Sequence, residues 1–557
     1  MSYDLLIRNG MVVDGTGRDA RRADLAIHDG KIAEIGPVSD GAKRVIDASD
    51  LVVAPGFIDP HTHYDAQICW DPEVSPSSWH GVTSVIMGNC GVGIAPCRPA
   101  SREVAMRDLV NVEAIPYEVL DKGITWDWET FPQYLAAARQ RGSALNLGFL
   151  APLTPFRHYV MGEASIERAA TAAETARIKA LLKEAVAAGA LGFSTTALTQ
   201  HIGHQGRPLA CRNASRGEMQ AYCNALRELA AGTIEIALTP RVSVVSDEDY
   251  ALLDFMLAES ARPVTFLALL ERDDLPEACV ESRRRIEPLI ARGAVPQTCP
   301  RPLTREVSLK MPFSFASFDS WAPVFNKTVA EQGVIYRDPS FRNAFREELR
   351  QPRVFSGNWQ LISVNQVAAP RLKPLEGRSI AEIAAERGTD GVDTFLDIAL
   401  EDELETEFTL LFLNVADDRV GALLKDPHNL LALGDGGAHV DLMCDAGYCT
   451  YLLGKWVRGK ELMSLEHAVH RLTAQPADLF GIRDRGRLAA GLAADIVIFD
   501  PRTVGSPERP VRRQDLPGGG KRFVMPSTGI VWTLVNGEVT YAEGVLTGAR
   551  AGQVLHS

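Results

Sequence analysis

The chain has no excess of basic charge, no long apolar run and no paired cysteine spacing, and each absence removes a class of function. Its 557 residues carry 58 lysines and arginines against 71 aspartates and glutamates, a net charge of −13. Phosphate backbones are bound through clustered cations, so no nucleic-acid partner is expected. No stretch approaches the roughly 18 to 20 apolar residues needed to span a bilayer, so no membrane partner is expected either. The opening MSYDLLIRNGMVVDG lacks the basic-then-apolar pattern of a secretory leader. Nine cysteines, an odd number, lie scattered without paired spacings. That pattern reads as reduced thiols in a cytoplasmic protein rather than as a disulfide framework. With 46% hydrophobic and 23% charged residues, the composition is that of an ordinary globular chain with an acidic surface.

What is present is a β-rich segment at each end and an alternating middle. DLLIRNGMVVDG and ADLAIHDGKIAEIG near the start carry Asn9-Gly10 and Asp29-Gly30 as hairpin signals, and TGIVWTLVNGEVTYAEGVL near the end turns at Asn536-Gly537. Residues 1–54 and 485–557 are therefore expected to pair into one small β-sandwich domain. Between them come LVVAPGFID, VTSVIMGNC, ALNLGFLAP, ALGFSTT, TIEIALTP, PVTFLALLE, AVPQTCPRP and LLALGDGG, eight short apolar runs separated by helix-forming stretches such as SIERAATAAETARIKALLKEAVAAG. Eight βα units close a (β/α)8 TIM-type barrel, here expected over 55–484. From about residue 301 to 372 the rhythm breaks into scattered aromatics, which reads as an insertion able to cover the barrel mouth.

In such a barrel the C-terminal strand ends share one mouth. His61 and His63 end the first run two residues apart, so both imidazoles point the same way and can reach one ion. Asp59 precedes them as a carboxylate able to orient an imidazole. Cys90 ends the second run between glycines, and its thiolate is a soft ligand suited to zinc. Asp435 ends the eighth run, where a carboxylate can both bind a metal and accept a proton from activated water. His201 and His204 follow the fourth strand, with a spacing that lets both face one way if helical, and His439 follows Asp435. These three are candidates for metal or substrate contact. Tyr64 and Trp70, leaving the first strand, are candidates to line the pocket. Arg241, Arg301 and Arg371 could hold a substrate carboxylate through a bidentate fork.

PGFIDPHTHYD, HGVTSVIMGNCGVGIAP, GALGFSTT, GDGGAHVDLMCDA and RLTAQPADLFGIRDRGRLAAGLAADIVIFD together resemble the amidohydrolase superfamily, and within it the N-acyl-D-amino-acid deacylase (D-aminoacylase) branch. The likeness runs from residue 4 to about 550, with GNCG specific to that branch. It implies a barrel with an added β-sandwich, a zinc-type centre and amide hydrolysis. It also implies that His61 and His63 are first-metal ligands, Cys90 the bridging thiolate and Asp435 the catalytic aspartate. The chain departs from the branch in two places, since its fifth and sixth strands end in ALTPRVS and FLALLERDD without the histidines that hold the tightly bound metal. Its fourth strand ends in FSTT with no lysine, so it offers no carbamylated-lysine bridge like that of related hydantoin and urea hydrolases. What remains is enough for one divalent ion, zinc by its thiolate, rather than two.

The expected function is metal-dependent hydrolysis of the amide bond of N-acyl-D-amino acids or similar small amides. Its rivals are a hydrolase of cyclic amides, imides or lactones, and a barrel without catalysis that serves as a binding subunit. A homodimer or higher homo-oligomer is the default assembly.

Overall fold

In the computed structural model, which describes residues 2–39, 41–315, 318–325, 327–351, 355 and 357–556, the eight apolar runs are the eight strands of a closed parallel barrel. They are β1 (Phe57–Asp59), β2 (Val82–Met87), β3 (Asn146–Phe149), β4 (Gly192–Thr196), β5 (Thr233–Ala237), β6 (Val264–Leu267), β7 (Ala294–Thr298) and β8 (Leu430–Leu431). Each pairs in parallel with the next, β3 reaching β4 through its short continuation Ala151–Pro152. A parallel bridge from Thr62 to Gly436 closes the ring between the ends of β1 and β8. The strands are buried almost throughout, as expected when helices cover the outer face of a parallel sheet. α1 (Arg102–Glu113) lies between β2 and β3, and α2 (Ala172–Ala188) is the Ala- and Glu-rich segment that the sequence marks as helical. α2 starts at a capping box, in which the Thr171 hydroxyl accepts the Glu174 N–H and the Glu174 carboxylate accepts the Thr171 N–H.

The run LVVAPGFID serves two sheets. Val52–Pro55 pairs with Ile496–Phe499 in the terminal domain, whereas Phe57–Asp59 enters the barrel. Gly56 makes the change of sheet possible, because a Cβ there would lie 2.1 Å from Thr83 Cγ2. The terminal domain is a nine-stranded sheet built from both ends of the chain, packed around Leu5, Ile7, Leu25, Ile27, Ile496, Ile498 and Leu534. Asp29-Gly30 and Asn536-Gly537 turn hairpins as expected. Asn9-Gly10 does not. It lies inside the single strand Tyr3–Val12, where the register against Arg21–His28 shifts between Ile7 and Gly10 and Asn9 takes φ +64°. The same left-handed preference that favours Asn-Gly in turns serves a β-bulge here. A separate two-stranded hairpin, Val511–Leu516 with Gly520–Val524, donates the Phe523 N–H to the Val440 carbonyl at 2.6 Å, bracing the loop beyond β8.

A second compact unit comprises residues 271–278 and 302–420. It extends past the 301–372 segment because two helices, Ile380–Arg387 and Gly391–Glu401, and the strand Glu407–Leu413 share its core. That strand is the middle of a three-stranded antiparallel sheet. The aromatics that looked unordered in sequence form the core: Phe315 stacks on Trp321 with centroids 4.2 Å apart, and Phe345, Phe355 and Phe395 close around the pair. Their spacing shows no period because loops and short turns, rather than one amphipathic element, carry most of them. Among the described residues no helix is long and apolar enough to cross a membrane, and all nine cysteines are free.

Barrel closure leaves little slack at its glycines. A Cβ on Gly192, where φ is +140°, would lie 1.8 Å from the Thr233 carbonyl oxygen on the neighbouring strand. That oxygen is backbone and cannot rotate away. Gly192→Ala is expected to cost about 2 kcal/mol or more through overpacking and backbone strain, read as a lowered denaturation midpoint.

Candidate metal centre

The centre is assembled by the backbone before any side chain acts. The His63 N–H donates to the Gly436 carbonyl at 2.8 Å and the Asp435 N–H to the His61 carbonyl at 3.1 Å, so the ends of β1 and β8 are zipped together. Asp435 Oδ1 thereby lies 3.6 Å from His61 Nε2. Cys90, in the Asn89–Gly91 turn after β2, takes φ +57°. It is held there by its own N–H, which donates to Glu235 Oε2 on β5 at 2.7 Å, and by the Gly91 N–H, which donates to Ser194 Oγ on β4 at 3.0 Å. Its Sγ is 3.5 Å from His61 Nε2. One ligand atom each from His61, His63 and Cys90 fall within 4.8 Å of one another, all three residues buried.

The imidazoles are oriented from behind, though not by Asp59. Asp59 Oδ1 accepts the His61 backbone N–H at 3.3 Å, and the imidazole Nδ1 faces Gln297 Oε1 on β7 at 2.8 Å. With Nδ1 occupied, His61 turns Nε2 toward Cys90 and Asp435. His63 Nδ1 lies 3.3 Å from Oε1 of Glu113, the buried last residue of α1.

Charge at this place is one-sided. Burial pushes the Cys90 thiol well above its usual range, and Glu235, Glu113 and Asp435 push it further. Burial raises Glu113 strongly, with Asp435, Asp65 and Glu235 adding to it. Burial lifts Glu235 to about 8 and Asp435 to about 7. Glu235 Oε1 is buried without a hydrogen-bond partner. Burial drops His61 to about 3 and drives His63 well below its ordinary value, so both rings are neutral donors. Neutral imidazoles, a thiol and crowded carboxyls form a donor set whose repulsion a divalent cation would relieve, and the residues fit a metal of the zinc type.

Of the other candidates, His201 and His439 belong to this neighbourhood, and each holds His63 down electrostatically. His201 Nδ1 is buried without a partner, and burial with His439 nearby lowers its ring to about 4. His439 is positioned by its N–H, which donates to the Glu113 carbonyl at 2.5 Å. His204 is not helically paired with His201. It starts a short turn, and its backbone N–H donates to Asp108 Oδ1 at 2.7 Å.

The pocket-lining and anchoring residues are placed elsewhere. Tyr64 is fully buried, its hydroxyl 2.8 Å from Ser77 Oγ and its ring where a Cβ on Gly436 would fall, so it supports the Asp435 loop from beneath. Trp70 packs on Gly123. Arg301 is fully buried, 3.5 Å from Asp445 and donating to Ser506 Oγ and the Pro507 and Glu508 carbonyls, with no face left for a substrate. Arg371 belongs to the second unit and donates to the Glu401 carbonyl at 2.5 Å. Arg241 is exposed. Helix and loop packing, invisible in a linear string, decides all of these.

No motif singles out Glu113, Glu235 or Gln297, yet each leaves a trace in the sequence. Glu235 and Gln297 are polar residues in the middle of barrel strands, TIEIA and AVPQT, and Glu113 is a single acid in the apolar stretch VNVEAI. Polar residues buried in such runs need a partner. A second constellation is structural: His158 lies between Asp108 at 3.3 Å and Ser165 at 2.8 Å, but Ser165 is fully buried and its hydroxyl donates to the Gly162 carbonyl at 2.6 Å.

Two outcomes follow from the donor set and the packing. An ion bound near neutral pH must displace the Cys90 proton while the imidazoles lose none, so zinc affinity should rise about tenfold per pH unit for each proton expelled. Chelator competition between about pH 6 and 8 reads that slope, and a flat profile contradicts the thiolate. Tyr64→Phe should lower stability by about 1 kcal/mol while leaving metal content unchanged, measured by denaturant unfolding and elemental analysis.

Known proteins match this chain along nearly its whole length. The chain is 30% identical over 559 residues to a D-aminoacylase of Alcaligenes xylosoxydans xylosoxydans, covering 99% of this chain and 97% of that one. It is 29% identical to an N-acyl-D-aspartate deacylase of the same organism, covering 99% and 95%. Its fold superposes on a crystal structure of N-acyl-D-glutamate deacylase from Bordetella bronchiseptica, complexed with zinc and a phosphonate mimic of the tetrahedral intermediate, with TM-score 0.66, 25% identity and full coverage of both chains. Residues 44–290 and 354–541 match the model of the amidohydrolase family, and the chain is a member of that family.

Proposed function

We propose that this amidohydrolase is a metal-dependent deacylase that cleaves the amide bond of N-acyl-D-amino acids. The observation that carries the reading is the convergence of three donors from distant parts of the chain. Cys90 Sγ lies 3.5 Å and Asp435 Oδ1 3.6 Å from the same atom, His61 Nε2. His61, His63 and Cys90, with Asp435 beside them, would hold one divalent ion, zinc by its thiolate. The names of the relatives, which act on N-acyl-D-aspartate and N-acyl-D-glutamate, support the substrate class.

Bound there, such an ion supplies Lewis-acid polarisation of the scissile carbonyl and an acidified water. Asp435 takes the proton of the attacking water on its carboxylate and returns it to the leaving nitrogen. Burial raises this carboxyl in the metal-free site, and a cation beside it would favour the deprotonated form that must start the cycle. The rate should therefore fall as acid protonates Asp435, read from the acidic limb of kcat against pH. His61 is kept from competing for the proton by burial, which holds it neutral. His201, whose Nδ1 is buried without a partner, and His439, which like His201 acts electrostatically on His63, would hold substrate oxygens.

The reading is tested by incubating the protein with a panel of N-acetyl-D- and N-acetyl-L-amino acids and measuring free amino acid. Turnover of D-isomers is expected, lost on chelation and restored by zinc. Asp435→Asn should lower kcat by about 10²- to 10⁴-fold with metal content retained. Opening of a cyclic imide or lactone without release of a second product would replace the deacylase with the ring-opening alternative. A protein that neither binds metal nor turns over any substrate would be a binding subunit.

A further inference from the structure

One acid stands behind the site that no metal-binding motif announces. Glu113 is 2% exposed, and its Oε1 lies 3.3 Å from His63 Nδ1. Its own carbonyl accepts the His439 N–H at 2.5 Å. Two and five residues earlier on the same helix, Asn111 Nδ2 donates to the Gly203 carbonyl at 2.7 Å, and Asp108 Oδ1 accepts the His204 N–H at 2.7 Å. α1 thus ties down the end of β1, the loop beyond β4 that carries His201 and the loop beyond β8 that carries His439.

We propose that Glu113 is the positioning residue of the metal centre. Its carboxylate accepts the Nδ1–H of His63, which fixes that tautomer and leaves Nε2 as the ring's donor atom toward His61 and Cys90. The inference rests on the metal-binding reading above. A ring hydrogen-bonded to a carboxylate is both oriented and made a stronger ligand. The two imidazoles then differ, because His61 is backed by the neutral amide of Gln297 and His63 by an acid. This supplies charge to a site whose fifth and sixth strands carry no histidine. It also links His63 and His439 through one residue, the side chain setting one and the main chain the other.

The test compares the full-length protein with Glu113→Gln and Glu113→Ala by zinc stoichiometry, chelator-competition affinity, the absorption spectrum of the cobalt-loaded form and the thermal midpoint of the metal-free form. Both variants are expected to keep one ion. Affinity should fall about 10- to 100-fold for Ala and less for Gln, whose amide oxygen still accepts Nδ1–H. The cobalt band should keep its intensity, since no ligand is lost, and the metal-free midpoint of the Gln variant should stay near the wild type. Unchanged affinity in the Gln variant overturns the proposal, which keeps the comparison valid if the Ala variant does not fold. A cobalt spectrum reporting a changed coordination number also overturns it, by making Glu113 a ligand. Wild-type protein without any ion overturns the metal reading itself, a result distinct from a normal wild type with indifferent variants.

Discussion

The structure depends on one parallel pairing, that between the ends of β1 and β8. Two backbone hydrogen bonds, His63 to Gly436 and Asp435 to His61, close the barrel and also bring residues more than 370 positions apart in the chain to adjacent places on the rim. Without them, His61 and His63 would be a strand end and Asp435 a turn residue, each with a structural explanation. The tight fit above and below this junction follows: Tyr64 fills the space under Gly436, and a Cβ on Gly434 would lie 2.2 Å from Asp59 Oδ2.

The electrostatics of the centre are those of an unfinished ion pair. The groups that bear most strongly on Glu113 are three other acids, and those on Cys90 are three acids and a thiol. Protein interiors tolerate such crowding when the acids are protonated or when a cation sits among them. Arginines are buried elsewhere in this molecule, Arg157 against Glu218 and Arg485 against Asp495, so the fold is able to neutralise acids with its own cations. Among the described residues no arginine or lysine pairs with Glu113, Glu235 or Asp435, and a metal ion would supply the cation that the fold does not.

The barrel was legible because each strand is a short apolar run bounded by glycine, proline or a helix-forming stretch, and because there are eight. His61, His63, Cys90 and Asp435 were legible because all four end such runs, where side chains must face the mouth. The supporting residues were harder to see. Glu235 and Gln297 sit within strands, and the contacts that define their roles, to the Cys90 N–H and the His61 ring, join positions more than 140 residues apart. Arg301 illustrates the opposite error: position beside a strand end suggested a substrate contact, while packing gave it Asp445 and three groups near residues 506–508. Asn9-Gly10 shows that a local conformational preference, φ above zero, names no single use.

Because α1 holds one end of three separate connections, those connections are not independent parts. Exchanging the 197–208 loop for one of another length would take the Gly203 and His204 partners from Asn111 and Asp108 and would reach His63 and His439 through the same helix. Redesign of this rim therefore has a natural unit of transplantation larger than a loop: the helix and the segments moored to it, moved as one cassette.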